Sequence, residues 1–523
     1  MSDLKVEEES KIPVTRADTL PSEENGDIKH GEVINSSTVD EGEIFLQENG
    51  YNWLQVEALL NDPAKLKKLT RKIDWILMPL MCGTYCLQFI DKQTMSYGAV
   101  FDLISNAHLV GDQYSWMGSI FYLGYLFWTY PSSYLAQRFN IGTYISISIL
   151  IWGAVLLCTA AASNFAGLAA CRFILGCLEA PVTPCFMMVV SMWYSREDAP
   201  SRAGYFYCFN GIGASLGGIF TYAIGQMNNF PVYKGIFLVC GGLTLVWGVL
   251  MLVFFPKNVL VSKRFTVEEK AMVVGIGKRN QTGVYNRHIK WYQIRECFLD
   301  PQIWICFLFA ILNELVNGGV ANFGNLIIKG LVHGDKLKTI ALGIPQGFFT
   351  LFFVATGPWF ASRFKNSKCI VMALYMVPSI IGSFILWKLP RSNTVGCLFG
   401  YYIMSSYVAS LVLVLQLPSN NVSGYTKRVT GTAFVFLGYC AGNIAGPHAF
   451  LTKEAPYYPT GSKMFVGCTL VQIALVILLR FVLVRRNKVR DAQFSAGGID
   501  TASDEDILMD KTDFEDRRFR YTY

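Results

Sequence analysis

The chain has 523 residues, 52% of them hydrophobic and 16% charged, with a formal net charge of +7 and a mean hydropathy of +0.34. A soluble domain carries more charge than this, so the balance excludes an ordinary water-soluble enzyme and indicates repeated passage through a bilayer. The positive balance is no nucleic-acid footprint either, because the Lys and Arg residues flank apolar runs and do not gather into one soluble patch.

In chain order, residues 1–64 open with an acidic, aromatic-poor stretch that reads as a disordered tail. They lack the basic and then apolar leader of a cleaved signal, so the first span is expected to act as an uncleaved anchor. Between Lys65 and Ile73, Leu66, Leu69 and Ile73 recur at helical spacing among lysines. That suits either a short amphipathic helix on a leaflet or a plain basic flank.

Twelve runs have the roughly twenty apolar residues a span needs, at 73–93, 114–134, 143–163, 166–188, 203–225, 235–255, 302–324, 338–360, 369–388, 395–416, 431–452 and 464–484. Ser163-Asn164 alone punctuates the stretch 143–188. The connection 256–301, where Thr266-Val267-Glu268-Glu269 reads as a helix start, divides 65–255 from 302–486, and 487–523 is a second polar tail read as disordered. The expected fold is an all-α membrane protein of twelve transmembrane helices in two six-helix halves.

The halves repeat one another. Leu135-Ala136-Gln137-Arg138-Phe139-Asn140 returns 225 residues later as Phe360-Ala361-Ser362-Arg363-Phe364-Lys365. The same offset pairs Gly213 with Gly438, Gly217 with Gly442 and Arg202 with Lys427. Such internal symmetry is a signature of transporters. Loops placed on one side carry roughly twice the Lys and Arg of those opposite, which puts both termini in the cytoplasm. The sequons at Asn35, Asn280 and Asn421 all fall on that side.

Polar groups inside apolar spans must be paired, face a cavity or do work. In the first span Asp91 and Lys92 point about 100° apart, which gives them different partners unless they are an interfacial pair reaching outer water. In the fourth, Arg172, Gly176 and Glu179 share a face, with Arg172 about 12 Å and Glu179 about 22 Å in from Asn164. A lone buried arginine costs at least roughly 2.5–3.5 kcal/mol. Arg172 therefore suits an anionic substrate, or it clamps neighbouring helix ends. Glu179, followed by Pro181 and Pro184, is a candidate proton carrier unless it pairs with Arg172 or Arg202. In the seventh span Asn313, Glu314 and Asn317 cluster ahead of Gly318-Gly319, where the helix is expected to unwind around substrate or proton. Asn210, Gln346, Gln416 and Asn443 are weaker candidates, since single amides bridge helices.

Gly213 with Gly217, and Gly438 with Gly442, are spaced for close helix packing. Gly211-Ile212-Gly213 lies inside a span with no preceding strand, so it is no nucleotide loop. The fourteen cysteines are scattered, and Cys82 and Cys86, though on one helix face, read as packing and not a metal site. The sequence offers no nucleotide loop, metal cluster or nucleophilic triad, so no cofactor is expected and a proton gradient is the expected energy source.

Tyr114-Ser-Trp-Met-Gly-Ser-Ile-Phe-Tyr-Leu-Gly-Tyr-Leu126 with Pro131, Arg172-Phe-Ile-Leu-Gly176-Cys-Leu-Glu179-Ala-Pro-Val-Thr-Pro184 with Ser191-Met-Trp-Tyr194, and Gly442-Asn443-Ile-Ala-Gly446-Pro447 with Ala455-Pro456-Tyr457 resemble corresponding segments of the fungal allantoate permease family. That family belongs to the anion:cation symporter branch of the major facilitator superfamily. The resemblance spans about residues 65–490 and is nearest to the thiamine-pathway type. It implies a rocker fold with a central site and proton-coupled uptake of a carboxylate-bearing nutrient, by a monomer in the plasma membrane or endoplasmic reticulum of a fungal cell. It also implies that Arg138 and Arg363 are degenerate loop-motif residues locking helices on the cytoplasmic side. Many relatives carry Glu before the second-span proline, where this chain has Trp128-Thr129-Tyr130-Pro131.

Three functions fit these residues. In the first, Arg172 meets a small organic anion and Glu179, Glu314 or Asp91 carries the proton. In the second, those three carboxylates, with Tyr85 and Trp116, hold an organic cation such as thiamine. The third is a nutrient sensor that signals through its tails. The topology predicts that all three sequons stay bare: glycosidase treatment of protein from fungal membranes should leave its electrophoretic mobility unchanged, and a glycan on Asn280 would reverse the orientation.

Overall fold

The structure, a computed structural model, describes residues 41–195, 197–256, 259, 262, 264–279, 290–497, 512–516 and 518–523, and no strand occurs among them. Short helices α1 (Glu41–Glu48) and α2 (Trp53–Leu60) precede the first half. That half comprises α3 (Pro63–Val100), the single turn α4 (Leu103–Asn106), α5 (Gln113–Arg138), α6 (Ile141–Thr159), α7 (Phe165–Glu179) continued by α8 (Val182–Trp193), α9 (Ala199–Ile224) and α10 (Val232–Phe254). The connection contributes α11 (Val267–Arg279) and α12 (Trp291–Leu299). The second half comprises α13 (Pro301–Leu331), α14 (Lys336–Arg363), α15 (Lys368–Lys388), α16 (Thr394–Met404) continued by α17 (Tyr407–Asn421), α18 (Tyr425–Ala445) and α19 (Pro459–Gly497).

Counting α7–α8 and α16–α17 as one crossing each gives the twelve expected. Ten of them are long and apolar enough to cross a bilayer on length and composition alone. The other two, α5 and α9, are less apolar, and both face the opposite half: α5 packs on α18 and α9 on α14. Their starts and stops follow local chemistry. Asp62, Asn164, Asp300, Asp335 and Asn393 each accept a hydrogen bond from a backbone N–H in the first turn of the helix that follows. Thr266 and Glu269 form the expected reciprocal cap at the start of α11.

Small residues set the helix separations. A Cβ on Gly213 would lie 2.6 Å from the Cys86 carbonyl oxygen of α3, and one on Gly217 would touch Tyr97 at 3.3 Å. On α18, a Cβ on Gly438 would meet the Phe307 oxygen at 2.8 Å, and one on Gly442 the Ile311 oxygen at 2.4 Å. Both glycine pairs thus do the packing expected of them.

Hydrogen bonds between the halves gather at one end of the bundle. Tyr114 donates to the Asn322 carbonyl at 2.7 Å, Ser119 to that of Ile444 at 2.6 Å, and Lys329 to that of Val100 at 2.8 Å. This is the far end. The opposite, tail end carries α1, α2, α11, α12 and residues 512–516 and 518–523.

The tails depart from the reading as disordered segments. Residues 1–40 lie outside the described residues, but 41–64 hold two helices, and Val56 and Leu60 of α2 pack over Gly275 of α11. Leu46, Val56 and Leu60 are buried, an apolar face that the acidic average of the segment conceals. No separate amphipathic helix forms between Lys65 and Ile73. Those residues begin α3, with Leu69 and Ile73 buried, while Lys65 and Lys72 pair with Glu268 and Glu269 of α11 at 2.8 and 2.6 Å. Partial burial works against the Glu269 carboxylate, but the Lys72 hydrogen bond and the Thr266 amide hold its pKa below the usual range. At the other terminus α19 passes the expected boundary at 486 and runs to Gly497, and residues 512–516 and 518–523 fold back onto the second half.

Gly442→Val should collapse the α13–α18 contact. Overpacking costs about 1–3 kcal/mol, read as a lowered melting temperature of detergent-purified protein. Gly204→Ala, where nothing lies within 4 Å of an added Cβ, should melt with the wild type.

Candidate functional site

The sequence places Arg172, Gly176 and Glu179 on one face of α7, and the structure buries all three. Gly176 brings α5 so close that a Cβ would lie 2.0 Å from the Phe121 carbonyl oxygen. Arg172 is 4% exposed, its Nε and Nη2 have no hydrogen-bond partner, and no carboxylate among the described residues lies within 4.0 Å of its guanidinium. The clamp reading of Arg172 therefore finds no helix end to hold. Pro181 interrupts the helix, so Glu179 is the last residue of α7, beside a break, and its Oε2 is also unpartnered. Arg202, the other candidate mate for Glu179, is engaged elsewhere: its guanidinium takes Asp74 in a two-pronged grip at 3.1 and 3.2 Å and Asp198 at 2.6 Å.

Helix α3 continues well beyond the expected end of the first span. Asp91 therefore lies nine residues, about 13 Å, short of its far-end terminus and is buried, so the interfacial-pair reading is overturned. Asp91 and Lys92 do have separate partners. Asp91 Oδ2 accepts from Thr244 of α10 at 2.6 Å while Oδ1 is unpartnered. Lys92 turns toward α5, its Nζ 4.8 Å from the Tyr122 ring centre and 5.5 Å from that of Phe121. Glu179, Glu314 and Arg172 all act electrostatically on Lys92, which places it among the charges of both halves.

The second half contributes a polar network. Asn317 Nδ2 donates to Glu314 Oε2 at 2.8 Å and to Asn443 Oδ1 at 3.1 Å, and the Asn443 amide donates to the same Glu314 oxygen. Tyr407, at the start of α17, donates to Asn317 Oδ1 at 3.1 Å. Asn313 faces away from the carboxylate and donates to the Tyr407 carbonyl at 3.2 Å. Glu314 Oε1 is buried without a partner. The expected unwinding at Gly318-Gly319 does not occur. Helix α13 runs through, and the two glycines make room for Asn443 of α18 and for Phe450, 3.0 and 2.5 Å from where their Cβ atoms would sit.

Glu179 and Arg172 of the first half and Glu314 of the second, with its amides Asn317 and Asn443, thus act on Lys92 in common, while Asp91 turns to Thr244 of α10 within the first half and Asn313 to the Tyr407 carbonyl. Asn210 is half-buried on α9 and makes no hydrogen bond to the described residues. Gln346 bridges helices by accepting from Tyr401 at 2.7 Å. Arg138 and Arg363 are exposed at the tail end, and neither meets an acidic partner among the described residues. Trp116 sits against His448 in the far-end seam, and Tyr85 is packed among Phe186, Phe206 and Tyr207. Sequence reasoning missed three contributors: Lys92 as a site residue, Tyr407, and Tyr122, whose hydroxyl is buried and unpartnered. The 225-residue offset, which pairs Lys92 with Asn317, was the available signal for the first.

Comparisons with known proteins agree with this architecture. A sequence model of the Major Facilitator Superfamily matches residues 81–447. Allantoate permease of Saccharomyces cerevisiae is 32% identical, covering 88% of this chain and 87% of its own length. The thiamine pathway transporter of the same yeast is 30% identical over 95% of this chain and 92% of its own, so the resemblance to the thiamine-pathway type is no stronger than that to the permease. A D-xylose-proton symporter of known structure shares the fold, with a TM-score of 0.58 and 12% identity over 76% of this chain and 97% of that one. The chain is a multi-pass membrane transporter of the major facilitator superfamily, within the branch that contains the fungal allantoate permease.

Proposed function

We propose that the protein is a secondary active transporter that moves a small carboxylate-bearing nutrient together with a proton. The observation that carries this reading is Arg172, a buried guanidinium with unpartnered donors and no carboxylate of the described residues within 4.0 Å. A planar fork of this kind matches a carboxylate in two-pronged fashion, and Lys92 adds a second cation on the same side. Glu179, Glu314 and Asp91 each keep one buried oxygen unpartnered. Protonation relieves such an oxygen of its charge, so these are the groups proposed to carry the proton.

The hydrogen bonds gathered at the far end support a state closed on that side, as alternating access requires. The Lys and Arg bias places the tail end in the cytoplasm. Asn421, one of the three sequons, is buried at that end and bonded to Thr522, in keeping with a bare side chain. No cofactor enters this scheme, which runs on the proton gradient in a monomer of a fungal plasma membrane or endoplasmic reticulum.

A thiamine-type organic cation is the second reading. It draws on the same aromatic wall, since Tyr122 and Phe121 already face the Lys92 ammonium.

Uptake into vesicles with an imposed pH gradient, using pooled labelled carboxylates beside labelled thiamine, separates the two. Acid uptake should collapse with the gradient and fall by about one to two orders of magnitude in Arg172→Gln, the equivalent of a lost charged hydrogen bond. Thiamine uptake alone, insensitive to Arg172→Gln, would overturn the anion reading.

A further inference from the structure

The second half holds a fully buried lysine whose nearest carboxylate comes from the far end of the sequence. Lys427 Nζ lies 2.7 Å from Asp513, 3.5 Å from Glu296 and 3.8 Å from Asp300, and 3.4 Å from the centre of the Phe514 ring. Its counterpart in the first half, Arg202, needs no such help, because Asp74 and Asp198 answer it from within that half.

Residues 512–516 and 518–523 reach Lys427 by seating themselves in a cleft between α17 and α19. Tyr521 exchanges two hydrogen bonds with the Asn487 side chain at 2.8 and 3.0 Å. Thr522 does the same with the Asn421 side chain, both at 2.8 Å. An Asn amide gripping both backbone groups of a residue is the side-chain imitation of a strand pair, and here it occurs at two successive residues. Tyr521 is 1% exposed, and its hydroxyl donates to the other oxygen of Asp513 at 2.7 Å. Asp513 therefore pairs with the lysine by charge through one oxygen, outside hydrogen-bonding geometry, and accepts from the strap's own tyrosine on the other.

We propose that residues 512–516 and 518–523 form a releasable strap whose docking sets the tail-end geometry of α13 and α18, and through them the central site. The route is electrostatic and runs through Asp300. That carboxylate caps α13 by accepting from Gln302 N–H at 3.0 Å, and it pairs with Arg486 of α19 at 2.9 Å. With Asp513 removed, Lys427 keeps only Glu296 and Asp300 within 4.0 Å, and a buried ammonium must draw one of them closer. Asp300 is then shared between Lys427, Arg486 and the helix cap. Glu314 lies fourteen residues along α13 from Asp300, and Asn443 sixteen along α18 from Lys427, so both helices lead from the strap to the site. The inference does not depend on which solute is carried.

Hydrogen–deuterium exchange of the full-length protein in nanodiscs tests it, comparing wild type with Asp513→Asn/Tyr521→Ala. In the wild type, peptides covering 518–523 should be protected. In the variant they should exchange at least about tenfold faster, the scale of one lost charged hydrogen bond. Peptides at the starts of α13 and α18 should accelerate with them, while those from α6 and α10 stay unchanged. Equal exchange of 518–523 in wild type and variant would show that Asp513 and Tyr521 do not hold the strap. A freed strap with α13 and α18 unmoved would show that it is docked but uncoupled, and either result overturns the proposal. Should the double variant fail to give a monodisperse protein, Asp513→Asn alone, which keeps the side-chain volume, gives the same two readings.

Discussion

A charge taken out of water must be answered, and how each buried charge is answered separates the structural from the working parts of this transporter. Arg202 and Lys427, at the tail end, are surrounded by carboxylates and close the bases of their halves. Midway along the bundle the answers are incomplete. Arg172 has none among the described residues, Asp91 has Thr244 on one oxygen, and Glu314 has amides on one oxygen and nothing on the other. Three carboxylates lie within 4.0 Å of Lys427 and none of the described ones within that distance of Arg172; under the proposed function, a solute and a proton would complete the central set.

The 225-residue repeat organises more than the loops in which it is most visible. The break between α7 and α8, at Glu179 and Val182, recurs between α16 and α17, at Met404 and Tyr407. In the first half Pro181 and Pro184 account for the break. The second half has Ser405-Ser406 at the equivalent place, two hydroxyls that are buried without hydrogen-bond partners. Both breaks deliver a side chain to the site, Glu179 from one and Tyr407 from the other. The chemistry has meanwhile diverged. Lys92 of α3 corresponds to Asn317 of α13, and Arg172 of α7 to Cys397 of α16, so the cations lie in the first half and the amides in the second.

What could be read in the sequence was whatever repeats along one helix. Twelve spans follow from the length of apolar runs, and the shared face of Arg172, Gly176 and Glu179 and the glycine strips from 3.6-residue periodicity, and all are found. What escaped depends on neighbours distant in sequence. The extent of α3 was misjudged because the polar run Asp91-Lys92-Gln93-Thr94 looked like the end of a span, yet the helix continues and residues 94–100 are buried against other helices. The Ser405-Ser406 break carries no proline to announce it. The Gly318-Gly319 pair looked like a flaw in α13, but its backbone is held by an unbroken helix and its missing side chains are filled by α18 and Phe450. The C-terminal segment read as a polar tail because its anchors, Asp513, Tyr521 and Thr522, are polar residues whose partners lie up to 154 residues away.

The division of charge between the halves bears on how the proposed cycle could close. With every group ionised, Arg172 and Lys92 are outnumbered by Asp91, Glu179 and Glu314, so the empty site carries one formal negative charge. A carboxylate entering alone would deepen that excess in a poorly solvated place, at a cost that grows as the local dielectric falls. A carboxylate entering with one proton leaves the formal charge as it was. Glu314 belongs to one half and Lys92 to the other, and each lies within the other's electrostatic reach, so a proton on Glu314 also weakens an attraction that crosses the seam. Binding, protonation and the parting of the halves would then draw on the same few side chains. Symport needs that economy, because a proton bound at a distance from the seam would have no direct hold on which side of the membrane the site faces.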